Sequence, residues 1–282
     1  MAGSVLKRTL INRGFDVVGV ARSNADISSD LSDENQIKNL ILSERYDALI
    51  NAAAQVDISR CDTNPLESWK INAKLVSYLA NYSNDLNIPL LQISTDHYYT
   101  YGDDYPHKEN DQILCINEYS RHKFAAEHFA LTSKNSLVIR TSFLGSRKGQ
   151  QKGLVEWAIN KLNQGEQIEV FSDAWTSSLD VETFADVALK LLFDVQYRGV
   201  VNVGSSDVYS KEKLIRTLAE LLQIDHSKCL STSIKNIFAN RPNCLGLDVS
   251  KVEKYLGYKM PNFKEVCEAL VVNLNFKKLF LH

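Results

Sequence analysis

The sequence predicts an α/β protein: a doubly wound parallel sheet in its first half, followed by a smaller α/β region. Three observations predict it. Short runs rich in Val, Ile and Leu alternate with longer segments of helical period over residues 1–145, the pattern of buried parallel strands crossed by helices. The composition is that of an ordinary folded globule, with 44% hydrophobic and 23% charged residues among 282. No internal repeat, low-complexity tract or linker rich in Pro, Gly or Ser divides the chain, so its two parts are expected to pack as one body.

The elements follow in order. Ser4 to Asn12 carries Val5, Leu6, Leu10 and Ile11 on one helical face, Gly14 fits a helix stop, and Phe15 to Val20 reads as a strand. Gln36 to Ser43 is helical. Asp47 to Ile50 is a strand that runs into Asn51-Ala52-Ala53-Ala54, and Pro65 to Leu86 is a long helix broken before Pro89. Leu90 to Ser94 reads as a buried strand, Glu118 to Thr132 as a second long helix, and Ser136 to Thr141 as the next strand. Beyond Gly145 come a helix at Gly153 to Gln164, a strand at Ile168 to Phe171, and helices at Thr183 to Phe193, Lys211 to Leu222 and Phe263 to Asn273. Residues 1–145 are thus expected to form a dinucleotide-binding, Rossmann-like domain, and 146–282 a substrate-capping region interleaved with it.

Charge and cysteine usage narrow the partners. Thirty-two Lys plus Arg balance 34 Asp plus Glu, a formal net charge of −2, so neither nucleic acid nor an anionic membrane is expected as a partner. The five cysteines are widely spaced with no C-x-x-C pair; reduced thiols are expected, and neither a disulfide framework nor a metal site. No run approaches the ~18 apolar residues of a membrane span, and no apolar leader follows the N-terminal basic residues, which makes a cytoplasmic location the default.

Tyr-x-x-x-Lys occurs three times, at Tyr119/Lys123, Tyr209/Lys213 and Tyr255/Lys259. Context selects the first. Only Tyr119 follows a buried strand that ends in a hydroxyl, Thr95, and only it precedes another strand at crossover distance; the other two are read as solvated helix faces. Lys123 lies one helical turn after Tyr119, so the two side chains share a face. A nearby cation is expected to pull the phenol below its usual value of about 10. Tyr119 would then protonate a ketone oxygen as hydride arrives, with Thr95 hydrogen-bonded to the same oxygen.

Ser94-Thr95-Asp96, the stretch from Asn117 to Lys123 and Arg140-Thr141-Ser142 together resemble the active-site sequence of extended short-chain dehydrogenases/reductases, most closely the dTDP-4-dehydrorhamnose reductases. Asn51 to Ala54, followed by Asp62 and a helix containing Asn72, and the earlier Asp30-Leu31-Ser32-Asp33 are similar to the same family. The resemblance implies an NAD(P)-dependent oxidoreductase that reduces a 4-keto-6-deoxy sugar carried on a nucleotide diphosphate, as in rhamnose and polysaccharide biosynthesis. It further implies that Lys123 holds the nicotinamide ribose, that Asp30 and Leu31 flank the adenine, and that Arg241 and Asp96 meet the substrate. Phe143 stands where rhamnose-forming reductases carry Trp, and the segment around Trp175 lacks their Gly and Pro, which leaves the sugar open. Small residues at Asn51, Ala52, Ala53 and Ala54 let a cofactor approach the backbone at the carboxyl edge of the sheet. Arg22, just after the second strand, favours the 2′-phosphate of NADPH over NADH. An epimerase or dehydratase of the same family, and a non-catalytic binding protein such as a methionine adenosyltransferase regulatory subunit, stay open as alternatives, as does a homodimer.

One part of the pattern is missing. A dinucleotide fold opens with a strand and a glycine-rich turn whose amides meet the pyrophosphate at a helix N-terminus. Here only Gly3, at the start of the first helix, could belong to such a turn. Without that central strand two neighbours keep unpaired backbone groups, each costing on the order of 1–3 kcal/mol when buried. The natural protein is therefore expected to carry roughly ten further residues ahead of Met1, one strand and a tight turn.

Overall fold

The computed structural model of the protein describes residues 1–99, 105–145, 153–236 and 242–273. The first half runs α1 (Ala2–Asn12), β1 (Val20–Ala21), β2 (Ile27–Ser28), α2 (Glu34–Ser43), β3 (Leu49–Asn51), α3 (Ile58–Thr63), α4 (Pro65–Trp69), a π-turn (Lys70–Lys74), α5 (Leu75–Leu86), β4 (Leu90–Ile93), α6 (Glu118–Leu131) and β5 (Ser136–Thr141). After it come β6 (Phe143–Leu144), α7 (Leu154–Asn163), β7 (Ile168–Phe171), β8 (Trp175–Thr176), β9 (Leu179–Asp180), α8 (Val181–Leu189) with a second π-turn (Lys190–Asp194), and β10 (Gly199–Val203). The chain continues through β11 (Tyr209–Ser210), α9 (Lys211–Leu221), β12 (Cys229–Thr232), β13 (Cys244–Leu245), α10 (Ser250–Leu256) and α11 (Phe263–Asn273).

Four parallel strands in the order β10-β5-β4-β3 form the central sheet. Every residue of β4 and β5 is buried, which is why apolar residues run together in them, Leu90-Leu91 and Leu137-Val138-Ile139, instead of alternating with polar ones. β10 comes from the second half of the chain yet pairs with β5 over its whole length, so the sheet itself draws on residues on both sides of 145. The main core spans both halves as well, with Leu6 and Leu10 of α1, Leu91 and Ile139 of the sheet and Phe184 of α8 in one cluster. Caps set the helix starts: Asp33 accepts the amides of Asn35 and Gln36 at α2, and Asn117 with Ser120 forms a reciprocal capping box at α6.

The expected strand from Phe15 to Val20 is corrected. Only Val20 and Ala21 pair, with β2, in a ribbon separate from the main sheet. The backbone of Asp16, Val17 and Val18 makes no hydrogen bond among the described residues, because no neighbouring strand lies beside it. Across from it, β3 spends the amides of Leu49 and Asn51 on β4, with Leu49 N–H donating to Pro89 at 2.9 Å. Alternation along a strand then turns the N–H and C=O of Ile50 away from β4. Between the two edges lies a groove of about 960 Å³ whose walls include Phe15 to Ala21, Ala48 to Ala52 and the start of α1. Phe15 and Val18 remain 42% and 37% exposed along it.

Candidate active site

A second cavity, of about 250 Å³, opens at the carboxyl ends of β3, β4 and β5. Thr95, Asp96, Tyr119, Lys123 and Phe143 line it together with Asn51 to Ala54, so the residues expected to act on a carbonyl meet in one place. Thr95 and Asp96 arrive on the turn after β4, Tyr119 and Lys123 on the first turns of α6, and Phe143 on β6. Met1 and Ala52 to Ala54 line both this cavity and the larger groove, which makes the two continuous at the end of β3.

All the reactive groups are withdrawn from water: Thr95 is 3% exposed, Asp96 2%, Tyr119 9% and Lys123 2%. Burial pushes the Tyr119 phenol up to about 12, with a hydrogen bond from Thr95 working against that rise and the charge of Asp96 adding to it. The expected lowering by Lys123 is therefore corrected. Its ammonium donates to the Ile93 carbonyl at 2.5 Å instead, and desolvation of the phenolate dominates. Lys123 is itself pushed down to about 8 by burial, with Glu127 pulling the other way. Asp96 is raised to about 7 by burial, opposed by hydrogen bonds with its own amide, Thr95 and Ser142 and by the charge of Lys211. Its Oδ2 is buried and has no hydrogen-bond partner among the described residues.

The expected cofactor residues divide. Gly3, Arg22, Leu31 and Asn51 to Ala54 line the groove. Asp30 does not; its carboxylate accepts both the amide and the hydroxyl of Ser32, which tightens the turn before α2. α1 begins without a side-chain cap or an acidic residue in its first turn, so its leading amides are available to an anion. A Cβ on Gly3 would stand 3.5 Å from that of Ala52, ordinary contact, so the helix start already lies close to the end of β3. Small side chains, an uncapped helix start and an Arg are compatible with a dinucleotide diphosphate. Phe143 stacks on Phe184 at 4.7 Å and so presents only part of its ring to the cavity. Arg241 lies outside the described residues.

Of the two rejected Tyr-x-x-x-Lys pairs, Tyr255 is 48% exposed on α10, as a solvated face requires. The reading of Tyr209 is corrected: it is fully buried, donates to the Ser178 carbonyl at 2.6 Å and packs on Phe263 at 4.6 Å. Sequence reasoning also passed over His97, whose ring meets Tyr119 edge-on at 5.7 Å, and Glu127, buried beneath the site. Glu127 carried a usable signal, since it stands one further turn along the helix from Lys123.

The parallel sheet and the hydroxyl, phenol and ammonium gathered at its carboxyl edge define the class: an extended short-chain dehydrogenase/reductase. The family model described as RmlD substrate binding domain matches residues 1–276, and the chain belongs to that family. Among curated relatives, the probable low-salt glycan biosynthesis reductase Agl14 of Haloferax volcanii is 28% identical over 96% of this chain and 94% of its own. The dTDP-4-dehydrorhamnose reductase of Escherichia coli is 23% identical over 93% and 91%. The dTDP-4-dehydrorhamnose reductase of Bacillus anthracis, solved in complex with NADP, superposes with a TM-score of 0.85 at 20% identity, covering 96% of this chain and 95% of that one. No helix among the described residues is long and apolar enough to cross a membrane.

Proposed function

We propose that this protein uses NADPH to reduce the keto group of a nucleotide-diphosphate 4-keto-6-deoxy sugar. The observation that carries the reading is the convergence of Thr95, Tyr119 and Lys123 on one cavity that opens into the groove lined by Arg22 and Ala52 to Ala54. The names of the relatives, glycan and dTDP-sugar reductases, support the substrate class.

NADPH, when bound, supplies the hydride that reaches the carbonyl carbon. Tyr119 supplies the proton to the carbonyl oxygen, so that C=O becomes CH–OH. With its phenol pushed up to about 12, Tyr119 is a neutral, protonated phenol at neutral pH and holds the proton to be given. Thr95 orients the phenol and donates to the oxygen as negative charge builds there. Lys123, one turn along α6 from Tyr119 and lining the same cavity, is placed to hold the nicotinamide ribose. Arg22 on the groove wall offers a planar cation to a ribose 2′-phosphate, and Asp96 Oδ2 offers an acceptor to a sugar hydroxyl. The test is NADPH oxidation across a panel of 4-keto nucleotide sugars. Turnover on at least one of them, lost by a factor of roughly 100 or more in Tyr119→Phe, is expected for a missing general acid. Undiminished turnover by Tyr119→Phe would remove the assignment.

A further inference from the structure

Beneath the cavity lies a layer of polar groups sealed from solvent. Glu127, 1% exposed, is gripped by Arg140, 4% exposed, whose Nε donates to Oε1 at 3.0 Å and whose Nη2 donates to Oε2 at 2.8 Å. The other side of Glu127 Oε1 takes the Ser94 hydroxyl at 2.6 Å. Ser94 immediately precedes Thr95, and its amide donates to the Ile139 carbonyl of β5 at 2.7 Å. Lys123 stands one turn earlier on α6, donates to the Ile93 carbonyl and finds in Glu127 the carboxylate that opposes its desolvation. Arg140 is anchored on its far side by the Glu109 carbonyl at 2.9 Å and the Tyr99 hydroxyl at 3.2 Å.

A buried ion pair of this kind is a weak source of stability, because desolvating two charges cancels most of their attraction. Packing alone does not account for its placement. Its carboxylate faces two components of the reacting set at once: the strand end that carries Thr95 and the ammonium beside Tyr119.

We propose that Glu127 is a positioning residue for carbonyl reduction, fixing Thr95 through Ser94 and holding Lys123 as a cation through its charge. This inference rests on the reductase reading. The ionisable groups that line the cavity with Lys123 are Tyr119 on its own helix and Asp96 and His97 on the β4 side; Glu127, one turn further along α6, acts on it from behind, and Arg140, on β5, reaches it only through Glu127. Glu127 is thus the fixed anion at its back.

The test replaces charge and keeps shape. Glu127→Gln alone leaves Arg140 buried and unpaired, so the double variant Glu127→Gln/Arg140→Gln, which removes both charges, is measured beside it. The dependence of kcat on pH for NADPH-driven reduction is expected to lose its upper limb about one pH unit or more below the wild-type position in both variants. Glu127→Asp, which keeps the anion, holds the limb at the wild-type pH. A purely structural role would lower the yield of folded protein or kcat without moving the limb. Titration of the Lys123 ε-carbon by NMR, assigned by its absence in Lys123→Met, reads the same shift without turnover. If wild-type protein reduces no keto sugar while the Lys123 midpoint still falls in Glu127→Gln/Arg140→Gln, the reductase reading fails and the electrostatic tie stands. An unmoved midpoint and an unmoved limb overturn the inference.

Discussion

Lys123 and Asp96 are both held where water would not leave them, and each makes the fold less stable in a different pH range. Lys123 has a folded value of about 8 against 10.5 for an ordinary lysine, so the stability it allows above pH 10.5 is lost as pH falls towards 8, and neutral pH lies on the penalised side. Lys123→Met is therefore expected to abolish reduction yet stabilise the protein at pH 7 by on the order of 1–3 kcal/mol, read by urea denaturation. A loss of stability there would contradict the burial argument. Asp96 runs the other way: its folded value of about 7 lies above the ordinary 3.8, so its contribution is intact below pH 3.8 and is lost as pH rises through 7. Asp96→Asn should stabilise the fold by a few kcal/mol at pH 8 and hardly at all at pH 4, visible as a flattened curve of stability against pH. Sequence alone could place Thr95, Tyr119 and Lys123 because each sits at a fixed offset from a strand end or a helix start. It could not set their ionisation, since desolvation depends on what the rest of the chain packs over them. Tyr209 shows the same limit, being buried by the segment around Ser178 and by Phe263 of α11 and not by anything in its own segment.

Elements were readable where their own residues decide them. The strand Ser136–Thr141 and the helix Phe263–Asn273 match their expected bounds because the apolar run Leu137-Val138-Ile139, rich in β-branched residues, and a clean helical period leave no competing reading. The helix from Pro65 to Leu86 also exists, but periodicity did not show the π-turn at Lys70–Lys74 inside it. That turn presents Asn72, 1% exposed, to Gln55: its Oδ1 accepts the Gln55 amide at 2.7 Å and its Nδ2 donates to the Gln55 carbonyl at 2.9 Å. One side chain thus satisfies both backbone groups of the loop that follows Ala52 to Ala54, the segment shared by groove and cavity. Asn72→Ala leaves the Gln55 amide without a protein partner and its carbonyl with the Cys61 thiol alone, at a cost of about 1–3 kcal/mol in stability. With the loop loosened, KM for the nicotinamide cofactor should rise several-fold while kcat at saturation falls less, a split that steady-state kinetics resolves. An unchanged KM would leave Asn72 a purely structural residue.

At the scale of the whole molecule, the groove is where sequence and structure differ most, and the difference is physical. Phe15 to Val20 has the residues of a strand, but strand geometry is completed by hydrogen bonds to a neighbour, and Asp16 to Val18 have none among the described residues. Ile50 faces the same space from β3, so two parallel edges confront each other across about 960 Å³ with amides and carbonyls that only extended main chain can satisfy from both sides. Such edges capture strands. A synthetic peptide of about six residues, rich in Val and Ile and free of Pro, has the length of one ordinary strand and is expected to bind there parallel to both walls. At about 100 times its dissociation constant it would add ~2.7 kcal/mol to the folded state. For a domain of 150–250 residues or somewhat more, that corresponds to a rise in Tm of roughly 5–10 °C. Hydrogen exchange should slow at Val18 and Ile50, the amides the peptide covers, and not at the β10 edge on the far side of the sheet. A peptide of the same composition with Pro at its centre cannot donate from that position and should give neither effect. Equal stabilisation by both peptides, or protection spread over the surface, would mean that apolar contact and not strand pairing is what the groove offers.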